Sequence, residues 1–240
     1  MKVCLRPLHT AALAMMLMLG AACFASSEDK LVEGRDFLRV PANDTRAARL
    51  SASTRAVEVL EFFSYGCGAC DKFRPLSSRW GAALPRNTTF SRIPTALGRR
   101  EWKPLVRMYY ALQSTGNLER LDQALFDAIH RENQRLFSEA ALIAWAERQG
   151  VDADTFRTAF YSRAVSERVS WSEQMDKAYA VPSTPTLVID GKYLVRGVST
   201  LEEQLRVASQ LVNQALATRK GPDTAPDTPN ENMRRGSEVP

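Results

Sequence analysis

Two cysteines three residues apart lie where a strand-like pattern changes to a helical one. Residues 57–65 are largely apolar, residues 73–84 carry apolar side chains at helical spacing, and Cys67-Gly68-Ala69-Cys70 lies between them. The first cysteine is therefore placed at a helix start, where unpaired backbone N–H groups and the positive end of the helix dipole lower the pKa of a thiol. A thiolate readily attacks a disulfide and readily leaves one. The motif predicts a redox centre rather than a structural cross-link.

The amino-terminal residues have the pattern of a secretory signal peptide. Lys2 and Arg6 precede an apolar stretch from Ala11 to Leu19, and small residues follow as far as Ala25. We predict that residues 1–25 are a signal peptide cleaved near Ala25, and that the product is exported to the periplasm. Cleavage before Cys23, which would leave a lipid-anchored protein, is the alternative.

The cysteines expected in the exported chain are a single close pair. Cys4 leaves with the signal peptide, and Cys23 is expected to leave with it. A disulfide that closes so short a loop stabilises a fold least, which favours a catalytic role in an oxidising compartment. A metal-binding pair is the alternative, but zinc needs three or four protein ligands and the mature chain adds only His130.

The charge distribution indicates no binding of nucleic acid. The formal net charge of the 240 residues is +5, and the Lys and Arg residues are dispersed without aromatic residues between them. Residues 219–240 are rich in Pro and charged residues and hold too few apolar residues to bury, so we predict a disordered tail.

The order of the elements predicts an α/β fold with a helical insertion. A strand over 57–65, the helix after Cys67 and a strand over Thr88–Ile93 form a βαβ unit with parallel pairing. A hairpin over 186–195 turns at Asp190-Gly191, and a helix over 201–216 follows. Between these parts the periodicity predicts helices over Glu101–Leu112, Leu118–His130, Ser138–Gln149, Asp152–Arg163 and Val165–Ala178.

Two motifs resemble those of the DsbA family of exported thiol:disulfide oxidoreductases. They are Glu-Phe-Phe-Ser-Tyr-Gly-Cys-Gly-Ala-Cys over 61–70 and Thr184-Pro185-Thr186 ahead of the hairpin. The resemblance implies a thioredoxin-like fold, formed by residues 26–97 and 181–218, with an inserted all-helical domain over 98–180. DsbA is itself a known example of a strongly lowered cysteine pKa and a strong oxidant, so that property comes with the resemblance.

The resemblance also implies roles for the site residues. Cys67 and Cys70 form the redox-active disulfide, with Cys67 as the nucleophile and Cys70 as the resolving thiol. Pro185 is expected to follow a cis peptide bond that turns the backbone of Thr184 toward a bound peptide. On the residues alone, a trans proline that merely begins a strand is the alternative.

The dipeptide between the cysteines tunes the first thiolate. Strongly oxidising members of the family carry Pro-His there, whereas this chain has Gly68 and Ala69, which we also assign to substrate binding. Because Ala69 removes a donor, we expect the pKa of Cys67 to lie above that of the His-containing relatives and yet below that of a free thiol.

The family match makes Glu61 a buried acid beneath the disulfide that relays a proton to or from Cys70. A carboxylate at an exposed strand edge is the alternative on physical grounds, and Glu58 is a less favoured candidate for the buried acid. His130 and the four tryptophans are expected to be packing residues rather than site residues. These tryptophans are Trp80, Trp102, Trp145 and Trp171.

These features together predict a periplasmic thiol oxidase that introduces disulfide bonds into reduced exported proteins. We expect a monomer that uses no cofactor and no metal. The family obtains reoxidation from a quinone-linked membrane oxidase of the DsbB type. A disulfide reductase or isomerase, and a copper- or zinc-binding thiol protein, are the alternatives.

Overall fold

The computed structural model describes residues 30–40 and 56–219. The predicted signal peptide and Cys23 lie outside the described residues, as do residues 220–240 of the predicted tail over 219–240. The first residue of that predicted tail, Arg219, is helical instead. Within the two described ranges, no helix is both long and apolar enough to span a bilayer.

A five-stranded mixed sheet forms the base of the site. Its strand order is β1-β5-β4-β2-β3, and β2 pairs parallel with β3 while the other pairs are antiparallel. The parallel pair confirms the predicted βαβ unit. At the predicted hairpin turn, Asp190 and Gly191 both have positive φ angles, of 54° and 63°. The strands are β1 Leu38–Arg39, β2 Val57–Phe63, β3 Thr88–Pro94, β4 Thr186–Ile189 and β5 Tyr193–Val195.

Seven α-helices surround the sheet in the described part of the chain. They are α1 Gly68–Ala82, α2 Lys103–Ser114, α3 Leu118–His130, α4 Glu139–Arg148, α5 Ala153–Phe160, α6 Arg163–Ala178 and α7 Leu201–Arg219. The predicted helix over Asp152–Arg163 is wrong at its end, because α5 stops at Phe160. The hydroxyl of Ser162 accepts a hydrogen bond from the backbone N–H of Val165 and thereby caps the next helix.

The alternation of side chains along β2 fills both faces of the sheet. Val57 and Val59 face a core that includes Phe73 of α1 and the apolar side of α7. Leu60 and Phe62 face the opposite core, which includes Met175 of α6. Glu61 shares its face with the two valines, so this carboxylate lies on the side of the sheet where α1 packs.

A third core joins the helical segment to the end of β2. It combines the apolar faces of α2 to α5 with Phe63, Tyr65 and Cys70, and all three of these side chains are fully buried. The loop that carries the cysteines therefore lies where the helical segment meets the sheet.

Candidate active site

The cysteine pair occupies the first turn of α1. Cys67 is the N-cap residue and is half-buried, whereas Cys70 is fully buried, and both are free thiols. Gly68 and Ala69 between them are exposed. A molecule approaching from solvent therefore reaches the sulfur of Cys67 and the intervening dipeptide, while Cys70 lies behind them.

The surroundings of Cys67 favour its thiolate. A hydrogen bond from the Cys70 thiol, the Thr184 hydroxyl and the backbone N–H groups of Ala69 and Cys70 together outweigh burial and lower the pKa of Cys67 to about 5. In its protonated form the thiol lies 3.3 Å from the carbonyl of Thr184, to which it can donate. The value lies below that of a free thiol, as predicted, but the largest contribution comes from Cys70 rather than from the helix start alone.

The second cysteine has the opposite preference. Burial, together with the neighbouring Cys67, raises the pKa of the Cys70 thiol well above its ordinary value. In the reduced pair, one sulfur is therefore an accessible thiolate and the other a buried thiol that donates to it.

The loop before β4 faces the cysteines. The Thr184–Pro185 peptide bond is cis, which confirms that prediction, and the carbonyl and hydroxyl of Thr184 lie against Cys67. The buried Gln204 of α7 holds this loop from behind, because its amide donates to the carbonyl of Pro185 at 3.1 Å and to that of Val195 at 3.0 Å. No sequence motif around Gln204 indicates that it supports this loop.

Glu61 is fully buried, so the alternative of an exposed strand edge is wrong. Its Oε1 accepts a hydrogen bond from Nε of Arg92 on β3 at 3.3 Å, and its Oε2 is buried without a partner. Among the described residues it hydrogen-bonds to neither cysteine. Glu58 lies near the hairpin turn instead, where burial and Asp190 raise its pKa.

Arg92 joins Glu61 to a second buried carboxylate. Its Nη1 lies 2.6 Å from the carboxylate of Asp122 on α3, which also pairs with Arg74 of α1. Burial opposes the charge on Arg92, but Glu61 and Asp122 raise its pKa above the ordinary value. Burial likewise opposes the charge on Asp122, and the two arginines nevertheless lower its pKa. The network therefore holds two buried carboxylates against two guanidinium groups.

Two residues expected to serve only as packing lie at the site. Trp102 packs on Gly66, where a Cβ atom would lie 2.5 Å from the indole Nε1, so only glycine permits this approach. His130 hydrogen-bonds to the carbonyl of Tyr65 and lies beside Gly68. The remaining tryptophans are packing residues, as expected, within the three cores or at their edges.

Some of these partners left a signal in the sequence. In the parallel register, Glu61 lies opposite Arg92, so an acid and a base occur at matching positions of two predicted strands. Asp122, Phe126 and His130 follow one another at intervals of four residues, which places a carboxylate and an imidazole on one face of a helix. Neither pattern by itself shows that these side chains lie near the loop that carries the cysteines.

Across residues 30–40 and 56–219, no group of three or more His, Cys, Asp or Glu side chains is arranged to hold a metal ion.

Comparison with known proteins gives a consistent set of relatives. The sequence profile of the DSBA-like thioredoxin domain matches residues 80–206, a range that begins downstream of both cysteines. The thiol:disulfide interchange protein DsbA of Burkholderia cepacia is 36% identical over 144 residues, which are 60% of this chain and 68% of that protein. DsbA of Bordetella pertussis is 35% identical over 164 residues, which are 66% of this chain and 77% of that protein.

Solved structures with a similar fold are also of proteins named DsbA. The structure of DsbA from Xylella fastidiosa has a TM-score of 0.68 and 28% identity, and covers 78% of this chain and 98% of its own. DsbA from Pseudomonas aeruginosa has a TM-score of 0.69 and 28% identity, and covers 79% of this chain and 97% of its own.

Proposed function

The chain belongs to the DsbA family and is a thiol:disulfide oxidoreductase, and we propose that it passes a disulfide between Cys67 and Cys70 to reduced exported proteins. The observation that carries the proposal is the opposite shift of the two thiols within one pair. The pKa of Cys67 is lowered to about 5, whereas that of Cys70 is raised. A stable thiolate at Cys67 favours the reduced enzyme and therefore makes its disulfide oxidising.

In the first step a substrate thiolate attacks the sulfur of Cys67. The bond between Cys67 and Cys70 breaks, a mixed disulfide forms between the substrate and Cys67, and the electron pair leaves on Cys70. Burial of Cys70 directs the attack to the half-buried Cys67. Because the pKa of Cys70 is high, its sulfur takes up a proton after it leaves.

In the second step another thiolate of the substrate attacks the substrate sulfur of the mixed disulfide. The substrate departs with its new disulfide, and Cys67 leaves as a thiolate. A sulfur with a low pKa is a good leaving group, so the same surroundings that stabilise the thiolate accelerate this release. The two electrons that the substrate dithiol loses remain on the enzyme, whose Cys67 and Cys70 are now the reduced pair.

The other predicted site residues have supporting roles in this proposal. The backbone of Thr184 beside Cys67 offers hydrogen bonds to an extended peptide, and Pro185 and the exposed Gly68 and Ala69 border the same space. Glu61 supplies or accepts the proton of Cys70. Its fully buried position and unpartnered Oε2 support that role, and exchange of the proton through an intervening water would account for the lack of a direct hydrogen bond.

The direct test uses a reduced peptide with two cysteines and the oxidised full-length protein without metal. We expect one peptide disulfide to form for each enzyme pair that becomes reduced. In cells, alkylation after acid quenching should find the pair mainly oxidised, and reduced when the membrane oxidase is absent. If the pair is mainly reduced in otherwise unaltered cells, the protein acts as a reductase or isomerase and the oxidase assignment is wrong.

Placing an imidazole between the cysteines should make this enzyme more oxidising. We expect Ala69→His to lower the titration midpoint of the Cys67 thiolate, followed by its ultraviolet absorbance, from about 5 by about one further pH unit. Ala69→Asn serves as the control, because it adds a polar side chain that cannot take up a proton and become charged. Equal shifts in the two variants would show that charge on the residue at 69 is not the cause.

Family membership also supports a proposal for the cellular setting. We propose that the protein acts in the periplasm after removal of the amino-terminal segment, as a monomer. Its reduced pair then passes two electrons to a quinone-linked membrane oxidase of the DsbB type. The accessible sulfur of Cys67 supports this partner, because reoxidation needs the same exchange chemistry in the opposite direction.

A further inference from the structure

Three residues of α3 hold Tyr65, which lies two positions before Cys67. The Tyr65 hydroxyl donates to Asp122 at 2.6 Å, its ring centroid lies 4.8 Å from that of Phe126, and its carbonyl lies 2.8 Å from Nε2 of His130. The three residues are spaced by four and so share one face of α3. The helical segment thus fixes both ends of a fully buried residue in the active-site loop.

The imidazole of His130 has one nitrogen engaged and one open. A carbonyl oxygen only accepts, so Nε2 carries a hydrogen and Nδ1 of the neutral ring has a free lone pair. Nδ1 and Cε1 lie 3.8 and 3.9 Å from the position that a Cβ atom would take at Gly68. Within the described residues Nδ1 has no hydrogen-bonding partner. The ring therefore borders the residue that follows Cys67, with a nitrogen available for a proton.

The charges around this ring permit a positive charge there. His130 is the last residue of α3, where the helix dipole favours a cation. Asp127 lies three residues before His130 and Arg131 directly after it, and Arg131 reaches Asp71 on α1, the helix that begins beside the ring. Arg131 pairs with both Asp71 and Asp127, so these neighbours together leave one negative charge that an imidazolium would balance.

We propose that His130 is a positioning residue that holds the active-site loop through Tyr65 and, when Nδ1 is protonated, stabilises the thiolate of Cys67. The helical segment would thereby supply an imidazole that the dipeptide between the cysteines lacks. The inference rests on the proposed function, because the stability of this thiolate sets the direction of disulfide exchange.

The test is the pH dependence of alkylation of Cys67 by iodoacetamide in the reduced full-length protein, with the modified cysteine identified by mass spectrometry. His130→Gln can keep an N–H donor toward Tyr65 but cannot take up a proton. We expect its thiolate midpoint to rise by about 0.5–1 pH unit from about 5, and the alkylation rate at pH 5 to fall about 2- to 6-fold. Glu119→Gln, an exposed change at the other end of α3, should keep the original profile.

An unchanged profile in folded His130→Gln would overturn the proposal. A second measurement needs no variant, because linkage requires the thiolate and the protonated ring to stabilise each other equally. The protonation curve of the His130 ring, followed by NMR, should lie at higher pH in the reduced protein than in the oxidised one. Coincident curves would also overturn the proposal. Failure of the unaltered protein to oxidise a peptide would remove the oxidase role instead, since neither measurement depends on the direction of exchange.

Discussion

Cys67→Ser is expected to abolish peptide oxidation completely. Cys70→Ser should also lose peptide oxidation, but it keeps Cys67, the sulfur that bonds to the substrate. Serine at 67 leaves no sulfur that a substrate can attack, and the buried Cys70 cannot take its place. Serine at 70 leaves the Cys67 thiolate, which can attack a peptide that carries a disulfide. One peptide sulfur then bonds to Cys67, the other leaves as a thiolate, and the enzyme has no neighbouring thiol to resolve the adduct. After incubation of the reduced variants with a disulfide-containing peptide, non-reducing electrophoresis should therefore show covalent enzyme–peptide adducts for Cys70→Ser and none for Cys67→Ser.

The double variant Cys67→Ser, Cys70→Ser is the matched control, since it should neither oxidise the peptide nor form an adduct. The assignment of roles depends on which single variant traps the substrate. Adducts that form with Cys67→Ser, and not with Cys70→Ser, would exchange the nucleophile and the resolving thiol.

The local parts of the site could be predicted because short-range rules determine them. A cysteine that follows an apolar strand and precedes a helical period must lie at a helix start, and the structure has Cys67 at that position. Asp190-Gly191 between two short apolar runs determines a hairpin turn with positive φ angles. These features depend on neighbours in the sequence and not on how distant helices pack.

The contributions of α3 could not be predicted in the same way. Asp122 and His130 reach the cysteine loop only because α3 packs across the end of β2, and no local pattern states where a helix docks. The periodicity around 152–163 likewise continued past the true end of α5, because the capping hydroxyl of Ser162 competes with it. Burial of Glu61 followed from the family match, whereas its partner Arg92 required the register of two strands.

The buried network should make Arg92 one of the most sensitive positions for stability. Arg92→Met keeps much of the side-chain volume but removes the cation between Glu61 and Asp122, whose side chains are 0% and 2% exposed. Asp122 keeps its pair with Arg74, but Glu61 loses the Arg92 cation, and leaving a buried charge unpaired typically costs about 3–5 kcal/mol. We expect a loss of this size in the free energy of unfolding, measured by urea denaturation at neutral pH.

The pH dependence distinguishes a charge effect from lost packing around the Phe63 ring, which lies 3.8 Å below the guanidinium. Protonation removes the charge that Arg92→Met leaves buried without a counter-ion, so lower pH relieves the variant. The unaltered protein behaves oppositely, because the lowered pKa of Asp122 contributes stability that is lost as pH falls. The difference between the two proteins should therefore shrink from pH 8 toward pH 5.

Two further variants make this prediction specific. Arg163→Met removes an exposed ion pair with Glu167 and should cost no more than about 0.5 kcal/mol at any pH. Glu61→Gln combined with Arg92→Met removes the charge that Arg92→Met orphans and should recover part of the loss. A destabilisation of Arg92→Met that is independent of pH and unaffected by Glu61→Gln would assign the effect to packing, and would leave the carboxylates without an energetic role in holding α3 against the sheet.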